Sequence, residues 1–169
     1  AKISTLEINQ GETFSVNHKN YVRIKLLKPS SSEWANFSFD YQHYDGYESM
    51  SRVKAMITYP DGKQYKLKRS DIIKTRDNGW TNIRFSFPEL QVGSVIEYSY
   101  IIRVNDIYPM EDFIFQYSIP VRYAAFTYRI DRRINTNFQI SQEKYVKAME
   151  NGFEMRNVPA LQLKDFTDN

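Results

Sequence analysis

The chain has no cysteine. That removes disulfides, thiolate nucleophiles and cysteine-ligated zinc together. Histidine is almost as scarce, with His18 and His43 the only two. Glycine and proline number six each in 169 residues, which excludes collagen-like and linker compositions. No apolar run approaches the ~18–20 residues of a helical membrane span, and no signal peptide is visible. Neither charge sign dominates: 23 Lys and Arg against 20 Asp and Glu leave a net charge of +3, too mild to imply nucleic acid.

What is abundant is aromatic. Thirteen Tyr, 11 Phe and two Trp make up 15% of the residues, a bias that suits half-buried pleated strands. With 41% hydrophobic and 25% charged residues, the rest is ordinary for a globular domain. A domain of this length buries roughly 70% of its unfolded surface and needs no metal or disulfide to hold a core.

Alternation of apolar and polar residues gives the fold class. Val53, Ala55, Ile57 and Tyr59 share one face, as do Ile83, Phe85 and Phe87, and Ile96, Tyr98, Tyr100 and Ile102. Val22, Ile24 and Leu26 repeat the pattern early, and Ala124, Phe126, Tyr128 and Ile130 late. Asp45-Gly46, Pro60-Asp61-Gly62, Asn78-Gly79 and Val92-Gly93 punctuate these runs as turns. Phe85 to Tyr100, with Pro88 and Gly93 between two such runs, reads as a hairpin. The only helical candidates are Ser141 to Met149 and a turn after Pro159, while Pro29 to Ser32 reads as a loop. The expectation is all-β: a single antiparallel β-sandwich domain over residues 1–169 with little helix.

Chemistry is harder to find. There is no Gly-x-Ser-x-Gly elbow. His18 and His43 read as exposed loop or edge histidines rather than bases. Asn105-Asp106 and Glu111-Asp112 bracket a loop but lack the spacing of a calcium loop. Glu97 sits within an apolar strand, yet shares a face with Ser99 and Arg103 and is expected to face out or pair with a neighbouring strand. Basic residues cluster at Lys63 to Arg76 and Arg122 to Arg133, diluted by Asp61, Asp71 and Asp77. Alternating lysines are also how sheet edges resist aggregation. No catalytic residue, metal ligand or cofactor is therefore expected from this chain.

One stretch has the ingredients of ligand binding. Trp34, Tyr41, Tyr44 and Tyr47 lie close in sequence with Asn36, Asp40 and Asp45, and aromatic faces with nearby hydroxyl-binding groups suit a sugar. The competing account puts Phe37 and Phe39 in the core, with the tyrosines covering an edge or a domain contact.

Five short motifs in order suggest kinship: Tyr59-Pro-Asp-Gly-Lys63; Asp71-Ile72; Phe87-Pro-Glu-Leu-x-x-Gly-Ser-x-Ile-Glu-Tyr-x-Tyr100; Phe115-Gln116-x-x-Ile-Pro-Val121; and Arg156-Asn-x-Pro-Ala160. With these the chain resembles the domain of unknown function 3857, which precedes a transglutaminase-like domain in bacterial cell-envelope proteins. The resemblance runs from about Tyr21 onward. It implies an exported, periplasmic or cell-surface location and a non-catalytic accessory role, with the adjacent domain of the same polypeptide as partner. Where a transglutaminase-like domain follows, its Cys-His-Asp machinery would lie beyond Asn169, in a longer multidomain protein of which this is the N-terminal part. The alternative is a carbohydrate-binding module using the aromatic stretch, with a glycan or protein as partner.

Overall fold

The computed structural model describes residues 1–10, 13–106, 112–141 and 145–161. Strand accounts for 56% of it and helix for 9%, so the fold is all-β. The strands are β1 (Lys2–Gln10), β2 (Phe14–Lys25), β3 (Asn36–Gln42), β4 (Glu48–Thr58), β5 (Gln64–Lys66) and β6 (Ile73–Asp77). They continue as β7 (Trp80–Ser86), β8 (Val95–Val104), β9 (Val121–Ile130), β10 (Lys147–Met149) and β11 (Gly152–Val158). An eight-stranded sheet runs β10-β11-β9-β1-β2-β8-β4-β5, and a three-stranded sheet runs β3-β7-β6. The two layers make a sandwich-like fold, as the alternation predicts.

Two expectations are corrected here. Phe85 to Tyr100 is not a hairpin: β7 belongs to the small sheet and β8 to the large one. The Pro88–Gly93 link is an arch between layers. Apolar alternation on both arms is satisfied either way, because each arm turns one face to the same core. The pairing is also not wholly antiparallel, since β1 runs parallel to β9 from Lys2↔Ala124 to Ile8↔Ile130. A parallel neighbour needs a distant crossover, which local patterning does not reveal.

Helix placement changes as well. The Ser141–Met149 expectation ends instead in strand β10, paired with β11; residues 142–144 lie outside the described residues. Pro159 to Leu161 is not helical, and residues 162–169 lie outside the described residues too. Short 3-10 turns occur at Pro29–Ala35, Tyr44–Gly46 and Arg69–Asp71. The first replaces the loop expected there, entered by a proline whose fixed φ suits a first helical position.

The core lies between the layers. At one end Leu26, Ala55, Ile57, Phe85, Phe87 and Ile96 are buried, with Phe37 and Tyr98 packed on them. At the other, Leu6, Ile8, Val16, Ile102 and Val104 are buried beneath Phe39, Tyr47 and Tyr100. Phe37 stacks on Phe85 at 4.8 Å and meets Tyr98 edge-on at 5.3 Å. Such pairs each add about 0.5–1.5 kcal/mol beyond their buried area. Much of the aromatic excess is therefore core.

Candidate functional site

The four aromatics of the candidate sugar site do not share a surface. Tyr41 lies on the inner face of β3 with Phe37 and Phe39, is 3% exposed, and holds the Lys74 ammonium 5.7 Å from its ring. It is closed to a ligand by the alternation of its own strand. Trp34 is half-buried on the Pro29–Ala35 turn, and Tyr47 is half-buried against the core. Tyr44 alone is fully presented, at 73% exposure.

Its neighbour comes from elsewhere in the sequence. Trp80, 48% exposed, opens β7 opposite Gln42 of β3. The backbone N–H of His43 donates to the carbonyl of Gly79 at 2.9 Å, which ties the Tyr44 turn to the β6–β7 turn. On the same outer face, Asn82 donates through Nδ2 to Asp40 Oδ1 and Ser38 Oγ, each at 2.9 Å. In the sequence, Trp80 stands among basic residues that mask it. The Asn78-Gly79 turn before it is the signal that places it at a strand end.

The other candidates resolve into structural roles. His43 Nδ1 lies 2.9 Å from the hydroxyl of Thr81, which is fully buried. His18 departs from expectation: it is mid-strand in β2, between β1 and β8, and half-buried. Glu97 faces out, as expected, accepting from the Tyr21 hydroxyl with Arg23 3.9 Å away. Burial, and then this bond to Glu97, raise the Tyr21 phenol above its ordinary range. Asn105 donates to the carbonyl of Gly46 at 2.7 Å and accepts from Arg103 Nε at 3.1 Å; Glu111, beyond it, lies outside the described residues. The basic clusters are partly paired, Lys63 with Asp61 at 2.9 Å and Arg133 with Asp131 at 2.8 Å.

The most coherent arrangement is one end of the sandwich. Register places Lys25, Val95 and Thr58 level with each other at the ends of β2, β8 and β4. The start of β1 at Lys2 lies at the same end, with the start of β9 and, opposite Val121, the end of β11. Four of the five sequence motifs are the turns at that end, and they hold one another. Gly93, at φ +93, donates its N–H to the carbonyl of Leu26 at 2.7 Å. A Cβ on Gly93 would meet Pro60 of the Tyr59–Lys63 turn at 3.3 Å. Gln116 Nε2 donates to the carbonyl of Pro159 at 3.0 Å, and Leu161 N–H to that of Tyr117 at 2.7 Å. The fifth motif caps a turn: the Asp71 carboxylate accepts from the Tyr65 hydroxyl at 2.6 Å and the Lys68 N–H at 2.7 Å. Both bonds, that from Tyr65 foremost, hold this carboxyl below its ordinary range.

Four of the exposed apolar side chains stand on the turns and chain segments of this end. Leu27 is 72% exposed, Val92 51%, Leu161 47% and Leu90 38%. Leu27 and Val92 each adjoin a residue of the Leu26–Gly93 hydrogen bond, so they are neighbours across the arch.

Residues 12–162 match the family described as a domain of unknown function with a solved structure, DUF3857. The chain belongs to that family. No curated protein matches the sequence. Among solved structures, the chain is similar to one described as a putative protease from Parabacteroides distasonis ATCC 8503, with a TM-score of 0.74 and 13% identity. The match covers 97% of this chain and 36% of that one. At that identity the likeness is one of fold, and this chain spans about a third of the longer protein.

Proposed function

We propose that this DUF3857 member is a non-catalytic accessory domain of an exported bacterial protein, standing ahead of a transglutaminase-like domain and docking on it. The observation that carries the reading is the motif-bearing end. There, interlocked turns present Leu27, Leu90, Val92 and Leu161 to water, and exposed apolar groups gathered in one region mark an interaction surface. The chain's extent, about a third of the longer similar protein, supports a role as one part of a larger polypeptide. A cysteine nucleophile would have to come from another part, since this chain has none.

The test is made in the parent polypeptide. Leu27→Glu with Val92→Glu places two charges on the docking end at exposed positions. Stability of the isolated chain should change by no more than about 0.5 kcal/mol. In the parent, protease cleavage between the domains should accelerate and the scattering radius should grow. Unchanged cleavage and radius would remove the docking reading.

A second reading keeps the glycan alternative with a different residue set. Tyr44 and Trp80 sit at exposed turns, beside Gln42, Asp40 and Asn82. An aromatic pair with oriented amide and carboxylate groups suits a neutral sugar. Gel retardation in soluble cellulose, xylan and chitin derivatives tests it. Trp80→Ala and Tyr44→Ala should abolish retardation while Tyr145→Ala, equally surface-placed, leaves it intact; no retardation of the native chain in any gel rejects it.

A further inference from the structure

The net charge of +3 conceals a segregation that only the register reveals. On the large sheet, one face packs on the small sheet through Leu6, Val16, Ile57 and Ile96. The opposite face has no protein layer over it among the described residues. Alternation and pairing put Lys19, Arg23, Lys54, Arg103 and Arg129 on that outer face. The carboxylates sharing it across β9-β1-β2-β8-β4 are Glu7 and Glu97. Both are already engaged: Glu7 by Lys19 at 2.6 Å and Arg129 at 3.9 Å, Glu97 by Tyr21 and Arg23.

A groove of about 310 Å³ runs through the middle of this face. Ile3, Ile101 and Tyr21 give it apolar walls, and Arg52 and Lys54 line it with no carboxylate among the lining groups. Arg52 stands at a break in register between Ser51 and Lys54, in a left-handed backbone conformation at φ +52. Bulges of this kind re-aim a side chain, and a non-glycine residue held left-handed is strained unless local packing holds it there. A second hollow, of about 580 Å³, meets it at Thr5 and runs along Thr127 and Arg129, but it is also lined by Asp131 and Glu150, so the cationic site is the first. Thr5 and Thr127 share a hydroxyl hydrogen bond at 2.8 Å where the two meet.

We infer that this trough binds an extended acidic peptide segment, its carboxylates on Arg52 and Lys54 and an apolar side chain between Ile3 and Ile101. The lining argues against a membrane, because none of the exposed large apolar side chains lies there to insert into lipid. It also argues against single-stranded nucleic acid, which wants exposed rings for base stacking: the Tyr21 hydroxyl is tied to Glu97, the Tyr100 ring packs on Phe37, Phe39 and Tyr98, and the other uncharged walls are isoleucine and small polar groups. Aliphatic pockets between cations fit a polypeptide.

The experiment is fluorescence polarisation with a labelled peptide of glutamate pairs separated by leucines, at low and moderate salt. Arg52→Gly suits the positive φ and removes the cation, so the thermal midpoint should hold or rise while affinity falls. Combined with Lys54→Ala, affinity should drop about tenfold or more, whereas Arg76→Glu on the exposed strand β6 should leave it unchanged. The glutamine version of the peptide should not bind. The inference is overturned if the double variant binds within about twofold of the native chain, or if the native chain ignores the peptide. It is equally overturned if heparin or phosphatidylglycerol vesicles bind the same residues more tightly than the peptide does.

Discussion

Single residues set limits that the surrounding sheet cannot relax. Gly152 opens β11 at φ +155, and a Cβ there would lie 2.1 Å from the carbonyl oxygen of Phe126 and 2.9 Å from the Thr127 Cα. Both are backbone atoms of the neighbouring strand, so nothing flexible can give way. Gly152→Ala should therefore cost roughly 3 kcal/mol or more, read as a large fall in the urea midpoint. An unchanged midpoint would mean that β9 and β11 are not paired as described. Ser94 makes the opposite case. It is fully buried and its hydroxyl has no hydrogen-bond partner among the described residues, and an unsatisfied buried polar group costs about 1–3 kcal/mol. Its backbone holds the arch, accepting from Leu26 N–H at 2.9 Å, but alanine keeps that bond. Ser94→Ala should raise the midpoint, and a fall would show that the hydroxyl is satisfied in solution.

At the level of elements, the arch between β7 and β8 governs how the layers meet. Gly93 combines φ +93 with a neighbour at Pro60 that a Cβ would press at 3.3 Å. Gly93→Ala should cost about 1–2 kcal/mol, less than Gly152→Ala, because a proline ring can shift where a strand backbone cannot. Ranking the two midpoints checks this; the reverse order would place the tighter constraint at the arch. The same segment marks the boundary of what the sequence discloses. Alternation in β4, β7 and β8 identifies the core residues Ala55, Ile57, Ile83, Phe85, Phe87, Ile96 and Ile102, all of them buried, because period two is a local property. Which strand pairs with which is not local. Two arms facing one core look alike whether joined as a hairpin or an arch, and the β1–β9 parallel pairing joins residues more than a hundred positions apart. The candidate sugar site is split for the same reason: Tyr41 and Tyr44 are near in sequence, but one is on the inner face of β3 and the other on the turn beyond it, while Trp80 reaches Gln42 only through pairing.

Across the whole molecule, titration should bound stability from both sides. On the alkaline side, burial raises Tyr98, and burial first with a contribution from Tyr98 pushes Tyr117 up to about 12. The Lys2 ammonium donates to the Tyr117 hydroxyl, a contact that acts against this rise. A phenol raised in the folded state contributes stability that is complete below its unfolded value, about 10. As pH climbs from there, the unfolded chain ionises while the folded chain does not, so stability falls until the folded value is passed. On the acid side the sign reverses. Asp131 is lowered by its hydrogen bonds to Arg133, and Glu154 by its bond to Arg156. Their contribution is present above the unfolded carboxylate range and fades as pH drops through the folded values. The Asp131 pair is open to solvent, where salt and water screen it, whereas Glu154 is 8% exposed beneath a largely exposed Arg156, so the acid limb should be shallow and salt should flatten the Asp131 part of it. The alkaline limb rests on partly buried rings and should be less sensitive to salt. Urea midpoints between about pH 9 and 12 for the native chain and for Tyr98→Phe with Tyr117→Phe separate the causes. The double variant should lose less over that interval, and an equal loss would assign the alkaline limb to lysines rather than to the buried phenols.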